Sequence, residues 1–229
     1  MISQMWREAG KQTLPVMFGY LPLGAAFGIV AIEVGVPWYA AAAMSLIIYA
    51  GAGQFLAITL LAAGAGLTEV AVATIMLNSR HTFYGLSLLK RFQGAGWRKP
   101  YMIFALTDET YSLLTSQAAY SHALGFRVSL LNQLWWFTGT LIGIAVGSAQ
   151  LFNSQGIEFA LTALFIVLTL EQARRLKHSL PFVIALVTGL GALFLLPERH
   201  LLLGAIGSAS LLLLVHYRFS QRQGDHHAV

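Results

Sequence analysis

Eight apolar stretches, each near the length that carries an α-helix across a bilayer, follow one another along the chain and leave little between them. They lie near Thr13 to Ile32, Pro37 to Ala63, Leu67 to Leu89, Tyr101 to Ala119, Val128 to Gly147, Phe159 to Leu170, Leu180 to Leu196 and Leu201 to Val215. At about 20 residues per span, fewer than about ten remain for each connection, so no soluble domain fits. Composition agrees: 57% of the 229 residues are hydrophobic and only 10% are charged, too little polar surface for a water-soluble body of this size. A nucleic-acid binder, a secreted disulfide scaffold and a conventional soluble enzyme are excluded. The lack of cysteine also removes disulfides, thiolate metal sites and thiol catalysis.

The fold expected is all-α: a polytopic membrane helix bundle of about 7–8 hydrophobic segments with interrupted helices. Residues 1–229 form a single transmembrane domain with short polar tails at 1–12 and 217–229. The first segment reads as a retained span, because Trp6, Arg7, Glu8 and Lys11 form a helix-like charged lead and no clear small-x-small cleavage site follows.

The net charge of +5 sits in clusters at segment ends: Arg7 and Lys11; Lys90, Arg91, Arg98 and Lys99; Arg174, Arg175 and Lys177; Arg218 and Arg222. Such clusters mark cytoplasmic ends, while Glu33, Glu69 and Glu158 mark other connections. If all four clusters are cytoplasmic, each interval between them holds an even number of crossings. The first two intervals each hold three segments, so either the charge rule breaks locally or one segment of each trio is split or re-entrant. Two odd trios also suggest one unit used twice as an inverted repeat, a common transporter plan.

Three interruptions stand out within the spans: Gly19, Tyr20, Leu21, Pro22 and Gly24; Tyr49 to Gln54; and Asn78 to Thr82. Broken backbone at membrane depth survives only inside protein or beside a wet cavity, and half-helix ends there bind charged groups. Simple kinking is the alternative for each. Gly139, Gly143 and Gly147, with Gly24 and Gly28, fall four apart and form a face for close helix packing, whether internal or with another subunit.

Of the 23 charged residues, Arg80, Asp108 and Glu109 lie well inside spans. An ion at mid-membrane costs about 3 kcal/mol or more, so such residues face partners or watery paths. His81 joins them as a group that titrates near neutral pH. The substrate-binding set read from this placement is Gly51, Gly53, Gln54, Asn78, Arg80, His81, Tyr84 and Ser112, with Asp108, Glu109 and Arg80 as proton-coupling or gating groups. Arginine, carboxylates and neutral hydrogen bonders together match both ends of a zwitterion. A fixed buried bridge from Arg80 to Asp108 or Glu109 is the alternative. Asn132, Gln133, Trp135 and Trp136 read as lesser extensions of a polar or packing surface.

Tyr-Ala-Gly-Ala-Gly-Gln-Phe at Tyr49 to Phe55, Asn-Ser-Arg-His-Thr-Phe-Tyr at Asn78 to Tyr84 and Leu-Thr-Asp-Glu-Thr-Tyr-Ser at Leu106 to Ser112 carry a family likeness. With the early Pro22 to Gly24 and the motif order, the chain resembles the AzlC-type branched-chain amino acid permeases, large subunits of two-component exporters. The resemblance implies a multi-pass bacterial inner-membrane protein exporting branched-chain amino acids and related apolar ones such as methionine. It also implies a small AzlD-type membrane subunit as partner. Homo-oligomerisation is compatible with the sequence, and no nucleic acid is expected.

An enzyme is not expected: no His-Glu-x-x-His pair occurs, Ser79 and His81 fall on different sides of a helix, and no phosphate-binding Gly-rich loop exists. No cofactor or metal is expected. The rival readings are a channel for small polar solutes and a structural membrane subunit.

Overall fold

The computed structural model describes residues 2–116, 121–149, 166, 169–170 and 179–225; the side chains of 2, 80, 198–200, 202–203, 217 and 219–225 lie outside the description. The sixth apolar segment, its flanking Glu158 and the basic residues Arg174, Arg175 and Lys177 therefore fall largely outside the described residues, and with them the last segment of the repeat's second trio. Among the described residues every regular element is helical. Two compact units appear, one of residues 1–66 and 74–155, the other of 67–73 and 156–229.

The first unit is organised on two long helices, α1 (Ile2–Glu33) and α7 (His122–Ser148). Between them in sequence come α2 (Trp38–Ile47), α3 (Ala52–Ala62), α4 (Leu67–Leu88), α5 (Arg98–Phe104) and α6 (Asp108–Thr115). Helices α1 and α7 run parallel: Met5 meets Arg127, Thr13 accepts from Trp135, Leu21 faces Gly139, and Ile29 faces Gly147. The glycine ladder is the reason they can. A Cβ at Gly24 would stand 2.6 Å from the Trp136 carbonyl oxygen, one at Gly139 2.6 Å from that of Leu21, and one at Gly143 would overlap the Ala25 carbonyl. The glycine face is thus an internal contact, in which backbone touches backbone without intervening side chains.

Of the described helices, α1 and α7 are long and apolar enough to cross a membrane. Among the described residues the second and fourth segments are each a pair of short helices rather than one continuous helix. The second breaks at Tyr49 and Gly51, both with positive φ (44° and 45°), a conformation no helix interior contains. Beyond the break α3 turns back: Gln54 bonds Ser45, nine residues earlier, and Phe55 packs on Phe27, two turns beyond Tyr20 towards the end of α1. The fourth breaks at 105–107, where Thr107 caps α6 by accepting the Thr110 amide at 3.2 Å. Helix α6 then returns, and its Leu114 packs with Leu88, Phe92 and Met102.

The odd trio in the first interval is explained by this geometry. Leu88 and Phe92 belong to the end where α1 and α7 begin, since the Arg91 carbonyl lies 3.0 Å from His122 Nε2. The chain leaves that end along α1, dips into the unit and out again through α2 and α3, and returns along α4. The α2–α3 pair is therefore re-entrant and adds no crossing, so Arg7, Lys11, Lys90, Arg91, Arg98 and Lys99 collect at one end, as the charge rule requires. The α5–α6 pair enters from that same end: Trp97 and Tyr101 pack on Phe126, and Tyr101 donates to Gln133 at 2.6 Å.

Two expected interruptions are absent. Helix α1 passes Pro15 and Pro22 unbroken, because a proline removes a single amide and the close backing of α7 holds the rest of the turn in place. Helix α4 runs unbroken through Asn78 to Thr82, and Ser79 donates to the Met76 carbonyl at 2.7 Å, so its hydroxyl is satisfied by the helix itself.

In the second unit α8 (Leu180–Leu195) and α9 (Glu198–Asp225) pack as a hairpin. Leu196 is extended, as a residue before proline must be, and its side chain covers Gly204. Both polar tails are helical in part: α1 starts at Ile2 and α9 continues through Arg218 and Arg222. Large apolar side chains lie bare along the helices, among them Phe18, Ile47, Phe83, Leu186 and Phe194, as surfaces meeting lipid do.

Candidate functional site

The two re-entrant pairs enter from opposite ends and their tips meet beside the middle of α1 and α7. Tyr20, on α1, is the junction. Its hydroxyl donates to Glu109 Oε2 at 2.6 Å and lies 2.7 Å from Thr107 Oγ1, both at the start of α6. Thr107 Oγ1 is 3.0 Å from Thr110 Oγ1, which accepts from Asn132 Nδ2 of α7 at 3.0 Å. Tyr49, from the other tip, turns its hydroxyl towards Tyr20, Thr110 and Glu109, yet it makes no hydrogen bond of good geometry. Tyr20, Tyr49, Thr107, Thr110 and Asn132 are all buried.

A second hydrogen-bond chain fixes the α2–α3 break. Gln54 accepts the Ala50 amide at 3.3 Å and donates to Ser45 at 3.1 Å; Ser45 shares a 2.8 Å bond with Thr140, which donates to the Trp136 carbonyl at 3.1 Å. Gln133 donates to the Leu46 carbonyl at 2.9 Å, satisfying an acceptor that the end of α2 leaves without a helical partner. These amides do for the broken helix what water would do elsewhere. Gln54→Leu is expected to lower stability by about 1–3 kcal/mol, because Ser45 and the Ala50 amide lose a buried partner; thermal unfolding of purified protein checks it.

Of the residues singled out in the sequence, Gly51, Gly53, Gln54 and Asn78 come together at the α3 tip. Gly51 caps α3, and a Cβ at Gly53 would lie 2.9 Å from Asn78 Nδ2. Glu109 sits at the α6 tip on Tyr20, with Asp108 beside it in the first turn of α6 and half-buried. His81 and Tyr84 lie further along α4, where Tyr84 stacks on Tyr111 at 4.5 Å. Ser112 is exposed and apart from this set. The side chain of Arg80 lies outside the described residues, and so therefore does the proposed bridge to Asp108 or Glu109.

Placement by charge alone missed Tyr20, Tyr49, Thr107, Thr110, Asn132 and Trp136. One signal was available: a threonine followed directly by Asp108 and Glu109 is a helix start, so its presence mid-segment marks a break. Along the chain Asn132 and Trp136 read only as lesser extensions of a polar or packing surface. Their importance arises where helices meet, with Trp136 stacked against Phe27 and edge-on to Tyr20.

Among the buried polar atoms of this unit that reach no partner by hydrogen-bond geometry are Tyr49 Oη, Asn78 Oδ1, Ser129 Oγ, Asn132 Oδ1 and Trp136 Nε1. Buried polar groups are nearly always paired, so each of these atoms is a hydrogen-bonding position that the protein itself leaves open. Both breaks also aim helix N-termini, of α3 and α6, at the centre. Among the described residues no group of three or more metal-ligating side chains occurs.

Comparison with known proteins agrees with this construction. The family model described as AzlC protein matches residues 15–149, the stretch that contains both re-entrant pairs and their two supporting helices. The branched-chain amino acid transport protein AzlC of Bacillus subtilis is 38% identical over 197 residues, 82% of this chain and 76% of its own length. An uncharacterized membrane protein of Helicobacter pylori is 40% identical over 88% of this chain and 90% of its own. The inner membrane protein YgaZ of Escherichia coli is 31% identical over 93% and 91%. No solved structure matches. From the match across α1 to α7 and the identity sustained over most of the chain, the protein belongs to the AzlC family of membrane proteins.

Proposed function

We propose that this protein is a secondary transporter of the bacterial inner membrane that exports branched-chain amino acids and methionine. In this reading residues 1–229 act as one transporter domain, paired with a small AzlD-type membrane subunit and able to self-associate. The observation that carries it is the meeting of two re-entrant helix pairs at Tyr20, with unpaired buried polar atoms around them. Carriers centre a few polar groups at broken helices near the midplane, whereas channels line a continuous path. The name of the Bacillus subtilis relative supports the substrate class.

Gly51, Gly53, Gln54 and Asn78 shape the pocket wall at one tip, and Arg80, His81, Tyr84 and Ser112 serve the solute on its path along α4 and α6. Asp108 and Glu109, with Arg80, carry the coupling proton or gate the path. Counterflow of labelled leucine, methionine and lysine in proteoliposomes, with and without the small subunit, tests the reading. Saturable exchange of leucine and methionine with none of lysine is expected. No amino acid exchange with the subunit present, or ohmic ion currents in planar bilayers, would overturn it.

A further inference from the structure

Helix α7 carries two of the unpartnered buried groups one turn apart, and each stands at a different hairpin tip. Asn132, fully buried, gives its amide N–H to Thr110 at the α6 tip, and its Oδ1 has no partner. Trp136, 3% exposed, has an unpartnered Nε1, and Cη2 of its six-membered ring, not the N–H itself, comes within 3.9 Å of where a Cβ at Gly51 would stand, so that the indole borders the α3 tip. One orphan is an acceptor, the other a donor. Residues four apart on a helix hold their Cβ atoms about 5–6 Å from each other, a span that a carboxylate and an ammonium on one carbon can bridge with a hydrogen bond at each end.

The tips differ in charge in the same sense. The first turn of α6 holds Asp108 and Glu109, which offset its helix dipole and make that tip favourable to a cation. The first turn of α3, Ala52, Gly53 and Gln54, holds no charge, so the positive end of its dipole stands uncompensated and favours an anion. Charge and hydrogen-bond polarity thus agree, although they arise from different residues. Phe27 stacks on Trp136, with Phe55 edge-on to Phe27, and the pair offers an apolar wall.

We propose that the transported amino acid lies across α7 with its ammonium group on Asn132 Oδ1 at the α6 tip and its carboxylate on Trp136 Nε1 at the α3 tip. The assignment rests on the amino acid transport reading and adds the orientation of the solute to it. Binding of leucine, of leucinamide, which lacks the carboxylate, and of 4-methylpentanoate, which lacks the ammonium, is measured by calorimetry on the full-length protein, wild type and variants. Trp136→Phe keeps the ring stacking and removes the donor. It is expected to weaken leucine and 4-methylpentanoate about tenfold and to leave leucinamide unchanged, the loss of one charge-assisted hydrogen bond. Asn132→Leu is expected to weaken leucine and leucinamide similarly and to spare 4-methylpentanoate. Each variant is read against the analogue its lost group does not touch, so one well-folded variant is enough. Equal weakening of all three ligands, or the reversed pattern, would overturn the orientation while the transport reading stands. A wild-type protein that binds none of the three would remove both.

Discussion

Gly143→Leu is expected to prevent assembly of the helix pair on which the site is built. A Cβ at this position already overlaps the Ala25 carbonyl, and backbone cannot rotate away as a side chain can. The helices must part along their whole contact, which would also separate Tyr20 from the α6 tip and Trp136 from Phe27. Overpacking in cores that relax through side chains costs about 1–3 kcal/mol, and this substitution is expected to exceed that range. Thermal unfolding in detergent, followed by size-exclusion chromatography, checks it. Gly10→Ala on α1 is the control, because nothing lies within 4 Å of its added methyl; it is expected to be neutral or to add about 0.5–1 kcal/mol. A Gly143→Leu protein melting within about 1 °C of wild type would show that α1 and α7 do not pack through their backbones.

The second large effect is expected at Glu109. Its carboxylate accepts the Tyr20 hydroxyl at 2.6 Å and so links the α6 tip to the fixed helix α1. A charged acceptor holds a hydroxyl about twice as strongly as a neutral one, so the tie between α6 and α1 depends on the charge of that carboxylate. Glu109→Gln keeps an acceptor for Tyr20 but removes the titrating group. Leucine export from proteoliposomes is measured with and without an imposed proton gradient. If Glu109 couples the proton, the stimulation by the gradient, whatever its size in the wild type, falls to none in Glu109→Gln. A stimulation as large as that of wild type would assign coupling elsewhere. Tyr20→Phe, by contrast, removes the link itself and is expected to cost about 1–3 kcal/mol, since Glu109 and Thr107 lose a shared buried partner.

These effects show what kind of information each level carried. The membrane class, the close-packing glycine face, the break near Gly51 and the family motifs were legible along the chain, because each depends on local composition or on helical spacing. The even-crossing requirement left two readings of the first trio, a locally broken charge rule or one segment that is split or re-entrant. It could not say which one, and proline drew attention to α1, where the helix is in fact continuous. A proline removes one hydrogen bond, and a well-backed helix tolerates that; a residue pair with positive φ removes the helical direction itself.

Charge was the other partial guide. It drew attention to Asp108 and Glu109, which the structure places in the first turn of a half-helix, a placement that reading the fourth segment as one continuous span could not reveal. The neutral groups that complete the site, Tyr20, Tyr49, Thr110, Asn132 and Trp136, come from four separate helices or breaks and are ordinary residues in their own segments. By itself the sequence determined that the chain lies in a bilayer, which end carries the positive charge and where two helices touch, since bilayer solvation and side-chain size act on each residue in place. Only the tertiary structure decided that two helix pairs turn back and meet at Tyr20, because whether a broken helix continues or reverses depends on the partners that receive its freed backbone groups.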